Sequence, residues 1–210
     1  MLKRKNLALP ALVLAMVLVA GSGCIFSPEP EPCEGEGCGG GGGTPVVWPD
    51  TPDKLMANFQ AVYERTDFAN FAQMLHPQYV TILQESTYQE FPDVGTTLDL
   101  EEELHIHERM FSKQDVYNPL NQLVPGIQSI AFQTFQRQGA WSDSPPNDQI
   151  PNARFALYEV VFLFDRGAGD TILKVEGQIK FYAVARDSTV NGVTKPYYRM
   201  RGQVDLTRDS

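Results

Sequence analysis

The residues in this 210-residue chain best suited to acid–base or metal chemistry are His105, His107 and Glu159. A His-x-His pair on a strand turns both rings to one side and can share a metal ion. On a helix, residues two apart point about 200° away from each other, so one ion cannot use both. The surrounding pattern predicts a helix here, and no metal site is expected. His107 falls on the apolar stripe of that helix, where a hydrogen-bonded core histidine is the plainer role and a pocket base the sharper one. His105 lies four residues after Glu101, within reach for surface pairing. Glu159 interrupts an apolar run; in a pocket, burial would raise its pKa and make it a general acid or base. Outside a pocket it is a charge on the outer sheet face or in a salt bridge. A His107–Glu159 dyad requires both side chains to face one hollow.

Recognisable catalytic grammar is otherwise missing. The glycine run 39–43 is followed by no Lys-Ser/Thr and opens no helix, so it is not a phosphate loop. There is no Gly-x-Ser-x-Gly elbow, no Cys-x-x-Cys pair and no His-Glu-x-x-His helix. No cofactor is expected. The formal charge of −9 repels phosphate backbones, which argues against a nucleic-acid partner.

The elements that must position these residues are legible. Thr51-Pro52-Asp53 reads as N-cap, first helical proline and acid, and Leu55, Phe59 and Val62 follow at helical spacing, predicting a helix over 52–65. Asp67 caps a second, short helix carrying Phe68, Phe71, Met74 and Leu75, which Pro77 ends, and 79–83 reads as a strand. Asp99 caps a third helix, in which Leu100, Leu104, His107 and Phe111 form one stripe and Glu101, Glu102 and Glu103 occupy the first turn, favoured by the helix dipole. The period then changes to two. Strands are expected over 127–136, 155–164, 173–183 and 198–206, with a loop over 137–153 that contains Trp141. Asn191-Gly192 marks a hairpin turn. Lys174, Glu176, Lys180, Arg199 and Arg201 are expected to form a charge ladder on a solvated sheet face.

Helices followed by long antiparallel strands define an α+β order. Residues 53–83, 99–111 and 155–207 resemble, in order and pattern, the nuclear-transport-factor-2-like superfamily, also called SnoaL-like or cystatin-like. The resemblance implies N-terminal helices packed in the hollow of a curved antiparallel sheet. It also implies a possible homodimer through the outer sheet face. Some members are isomerases, dehydratases or cyclases that use pocket acids and histidines, so it makes His107, with Glu159 as partner, the weak catalytic candidates.

The first fifty residues follow different rules. Lys3, Arg4 and Lys5 precede an apolar run over 7–20, and Gly21-Ser22-Gly23 leads to Cys24. This is the order of a signal peptide, too short for a comfortable membrane span. Small residues ending in cysteine resemble the lipobox of bacterial lipoproteins, with Gly21 standing where that family usually has Leu. The resemblance implies that residues 1–23 are removed and that Cys24 carries lipid; cleavage near Ala20 or Ser22 would instead give a soluble secreted protein. Ile25 stands where Asp often retains such proteins at the inner membrane, which by resemblance favours the outer membrane of the cell envelope. With Cys24 lipidated, Cys33 and Cys38 are left as a pair around Glu34-Gly35-Glu36-Gly37, either a small disulfide loop or two separate thiols. Residues 24–50, with their Pro-Glu repeats and glycine run, read as a spacer, and residues 51–210 as a single domain.

Three functions fit this reading. One is a lipid-anchored, non-catalytic module that binds a small apolar ligand or another envelope protein. The second is a small-molecule isomerase or dehydratase using a pocket His/Glu. The third is a purely structural lipoprotein within an envelope assembly.

Overall fold

A computed structural model describes residues 46–90, 95–117, 121–167, 172–190 and 192–206. Cys24, Cys33, Cys38 and the expected signal peptide lie outside the described residues. No helix among the described residues is long and apolar enough to cross a membrane.

Helix α1, Pro52–Arg65, begins where Thr51 accepts the Lys54 backbone N–H, and ends at Thr66 in the left-handed conformation. Such a cap is worth about 1 kcal/mol. Its buried face carries Leu55, Met56, Phe59, Val62 and Tyr63. Asp67 caps α2, Phe68–Met74, which buries Phe71 and Met74. The chain then runs directly into strand β1, Leu75–Ile82. A short helix α3, Glu85–Glu90, and strand β2, Thr97–Asp99, follow before the next helix. Helix α4, Leu100–Phe111, starts with a capping box between Asp99 and Glu102. A two-stranded ribbon, β3 (Val116–Tyr117) and β4 (Leu123–Val124), leads to the long strands β5 (Ser129–Asp143), β6 (Arg154–Asp165), β7 (Leu173–Val190) and β8 (Val193–Asp205).

The main sheet has six strands in the order β2-β1-β8-β7-β6-β5. The α+β order expected from sequence holds, with one correction: the sheet is mixed. β1 pairs parallel to β8, and the other pairs are antiparallel. Hairpins force neighbours to alternate direction, but β1 and β8 are joined through the rest of the sheet, so nothing local sets their relative direction.

Register shifts in the sheet adjust which residues face inward, and two of them show how. On β5, Phe132 pairs with Phe162 and Thr134 with Val161, leaving Gln133 as the extra residue. Phe132 and Phe135, three apart, therefore both reach the core. On β8, Met200 pairs with Ala183 and Gly202 with Tyr182, so Arg201 is the extra residue. Met200 then faces the helices, while Val204 joins a second cluster on the convex side. The uniform alternation expected over 198–206 is broken there.

The concave face is filled by side chains of the sheet and of α1, α2 and α4. Phe59 lies at its centre, with ring centroids 5.8 Å from Phe135 and 5.3 Å from Phe181. Each fully buried aromatic or large aliphatic group contributes about 1.5–3 kcal/mol through removal from water. Trp141, expected in a loop, lies on β5; it is buried and donates to Asp53 Oδ1 at 3.0 Å.

On the convex face, the loop after β5 folds back over the sheet. Ile150 and Ala153 pack against Tyr182 and Val204. Asp148 accepts from Lys180 Nζ at 2.8 Å and from the Tyr182 hydroxyl at 2.5 Å, and these two bonds hold its carboxyl below the usual range against the opposing effect of burial. At Gly202 a Cβ would fall inside contact distance of the Val80 carbonyl and Ile150 Cδ1, so β1, β8 and the loop meet only over glycine. Val47 and Trp48 are also fixed to the domain: Asn58 bonds both the N–H and the carbonyl of Val47, and Trp48 Nε1 donates to the Pro196 carbonyl at 3.0 Å.

Candidate functional site

The most unusual chemistry lies where α1, β1 and α4 meet beneath α2. Helical spacing places Glu103 and His107 one turn apart on the buried face of α4, 3 % and 6 % exposed. His107 Nδ1 lies 2.9 Å from the Glu103 carbonyl oxygen and 3.6 Å from its Oε1. A carbonyl only accepts, so Nδ1 carries the proton, and Nε2 of the neutral ring then accepts from the Tyr63 hydroxyl. Thr81 Oγ1 donates to Glu103 Oε2 at 3.0 Å, and the Tyr79 hydroxyl reaches Oε1 at 3.4 Å. The Phe71 ring stacks on His107 with centroids 4.1 Å apart, and Phe111 meets its edge.

Burial dominates the electrostatics. Removal from water pushes the Glu103 carboxyl up to about 7, against the opposing bonds from Thr81 and Tyr79. It pushes His107 down to about 4, against the bond to the Glu103 carbonyl. Tyr63 and Tyr79 are raised by burial and further by the neighbouring Glu103. Between pH 4 and 7 both members of the Glu103–His107 pair are neutral for the most part, because two opposite charges here would lose several kcal/mol of hydration each. The 3.6 Å contact therefore has the geometry of an ion pair without its charges.

This chain of groups can shuttle a proton, but its members are buried among aromatic rings. An open groove of about 620 Å³ lies on the outer side of α4, with Phe68, Tyr79, Leu100 and Leu104 among its lining; neither Glu103 nor His107 lines it.

The sequence candidates separate in space. His107 is in the core, as its stripe position implies. Glu159 is exposed on β6, where it accepts from Gln138 Nε2 at 3.2 Å. Its parity matches Phe155, which packs with the convex cluster. The two are not brought together, and the dyad is not assembled. His105 is exposed and lines the outer groove. The charge ladder divides as well: Lys174 pairs with Glu176, Lys180 with Asp148, and Arg201 donates to the Gln78 carbonyl. Among the described residues no group of three His, Cys, Asp or Glu is placed to hold a metal ion.

Glu103 is the residue that sequence reasoning missed. Its first-turn position suggests a dipole role, yet it stands three after Leu100 and four before His107, inside the apolar stripe. Tyr79 and Thr81 carry a weaker signal, alternate positions on a strand beside that helix.

These features define an α+β protein with helices packed on the concave face of a curved, mixed sheet. No family model matches the chain, and no curated protein matches it. Solved structures of similar arrangement include a conserved protein from Planctomyces limnophilus, 8% identical, TM-score 0.47, over 73% of this chain and 90% of that one. An NTF2-like protein of unknown function in nutrient uptake from Rhodospirillum rubrum is 6% identical, TM-score 0.42, over 76% and 99%. A protein described as a SnoaL-like polyketide cyclase from Shewanella denitrificans is 10% identical, TM-score 0.36, over 75% and 92%. At these values the fold assignment stands on the chain's own element order and pairing.

Proposed function

We propose that this protein is a lipid-anchored, non-catalytic interaction module of the bacterial cell envelope, carried on Cys24 in the outer membrane and held away from it by the Pro-, Glu- and Gly-rich spacer sequence that follows. The observation that carries the non-catalytic part is the packed concave face: the groups with acid–base capacity, Glu103 and His107, bond to one another and to Tyr63, Tyr79 and Thr81 beneath Phe71. A substrate has to reach the group that transfers its proton, and these groups are occupied and enclosed. The anchoring part rests on the basic, apolar and small-residue order that ends at Cys24.

A second reading, a small-molecule isomerase or dehydratase, draws on the same pair, with Glu103 taking the place first considered for Glu159. It requires the core to open.

The test is mass analysis of the mature N-terminal peptide from detergent-extracted membranes. A diacylglyceryl thioether on Cys24 is the expected result. An unmodified mature terminus elsewhere, with the protein in the soluble fraction, overturns the anchoring.

A further inference from the structure

We propose that the groove between α2, β1 and α4 docks a peptide segment in which a Lys or Arg stands next to an apolar side chain. This rests on the reading of the domain as an interaction module and supplies the chemistry of its partner. The groove owes its shape to β1. Its register against β8 jumps from Leu75↔Met200 to Val80↔Gly202, so four residues, 76–79, stand opposite the single Arg201. Pro77 in this stretch has no N–H to offer the sheet. Pro77, Gln78 and Tyr79 make one wall, and the outer face of α4 makes the other. The floor is apolar, with Phe68, Leu100 and Leu104 half-buried along it.

The rim carries one sign of charge. Asp99, Glu101 and Glu108 line the groove, and no Lys or Arg does. Glu101, His105 and Glu108 lie at i, i+4 and i+7 on one helical face, a row of the right pitch for an extended or helical segment alongside. Glu101 and Glu108 are exposed and make no ion pair with described residues. An apolar floor under a carboxylate rim complements an aliphatic or aromatic side chain beside a cation. The volume, about 620 Å³, lies within the usual range for ligand sites. The chain's own spacer is excluded as occupant by charge, since its Glu29, Glu31, Glu34 and Glu36 would meet like charges at the rim. The net charge of −9 also draws basic partners and repels a second copy.

The experiment uses the mature chain and a library of fluorescein-labelled eight-residue peptides that pair Lys or Arg with Leu, Ile, Phe or Met, read by fluorescence polarisation. Matched peptides carry Glu in place of the cation, or Ser in place of the apolar residue. The expected result is binding of the Lys/Arg-apolar class at least about tenfold tighter than either matched set, weakened about tenfold by E101K/E108K and by raised salt. Equal binding of the matched sets, or no binding, overturns the proposal. Tight binding that E101K/E108K leaves unchanged also overturns the groove assignment, while leaving the interaction-module reading standing. An unlipidated, soluble protein overturns the anchoring without touching the groove.

Discussion

Replacing Glu103 with glutamine removes one of two buried groups whose effects on stability oppose each other. Glu103 holds its proton in the folded protein up to about pH 7 but releases it near 4.5 when unfolded. Its stabilising contribution is therefore complete below pH 4.5 and is lost as pH rises towards 7. His107 behaves in the opposite sense. Unfolded, it gains a proton below 6.5; folded, only below about 4. Its contribution is complete above pH 6.5 and is lost as pH falls towards 4. One proton per unit of pH corresponds to about 1.4 kcal/mol. Between pH 4.5 and 6.5 the two slopes are equal and opposite, so the wild-type pair is nearly silent across the window where either group alone would lose about 3 kcal/mol.

Glu103→Gln keeps the shape and the bonds to Thr81 and Tyr79 while removing the titration. The variant should lose about 3 kcal/mol relative to wild type between pH 6.5 and 4.5, as His107 is left uncompensated. His107→Phe should show the reverse slope relative to wild type, losing stability as pH rises through the same window. Urea unfolding followed by far-ultraviolet circular dichroism at half-unit pH intervals gives both difference curves, in which the exposed carboxylates common to all three proteins cancel. Difference curves that are flat for both variants would refute the opposed-titration reasoning.

Other outcomes follow from the convex face. Ile150→Ala should cost about 2–4 kcal/mol, since the side chain is enclosed between the loop and Gly202; chemical denaturation measures it. The loop should also become cleavable near Pro145-Pro146 under limited proteolysis of the folded protein, whereas wild type resists. Gly202→Ala should cost at least about 1–3 kcal/mol, because the new methyl meets the Val80 carbonyl and Ile150 together. Combining it with Ile150→Ala should recover part of that loss if the clash is shared, a non-additivity that a double-mutant cycle resolves.

Local signals were strongest where the physics is local. Thr51-Pro52 and Asp99 place the starts of α1 and α4 because a cap needs only its own three neighbours. Strand β7 is readable as alternation and β6 as a run of apolar residues, because burial against the core leaves its mark along each strand. The extra residues Gln133 and Arg201 are not readable this way, since a bulge is defined by the partner strand and shows no mark in its own sequence. The parallel pairing of β1 with β8 depends likewise on strands more than a hundred residues apart. The candidate site was half legible. His107 on its stripe follows from helical spacing, and Glu103 follows from the same spacing once a carboxyl is allowed on an apolar face. Glu159 supported two readings, a pocket acid among Val and Phe or a charge on the outer sheet face; strand parity with Leu157 and Val161 favours the second, and that is where it lies.

The enclosure of the Glu103–His107–Tyr63 chain is what separates a packed module from an enzyme, and the His107 ring reports on it directly. Carbon and nitrogen chemical shifts of that ring, followed by NMR from pH 8 to pH 4, should show a neutral ring protonated at Nδ1 and unchanged until close to pH 4. A ring that titrates near 6.5 with its Nε2 open to solvent would contradict the closed core and restore the case for catalysis.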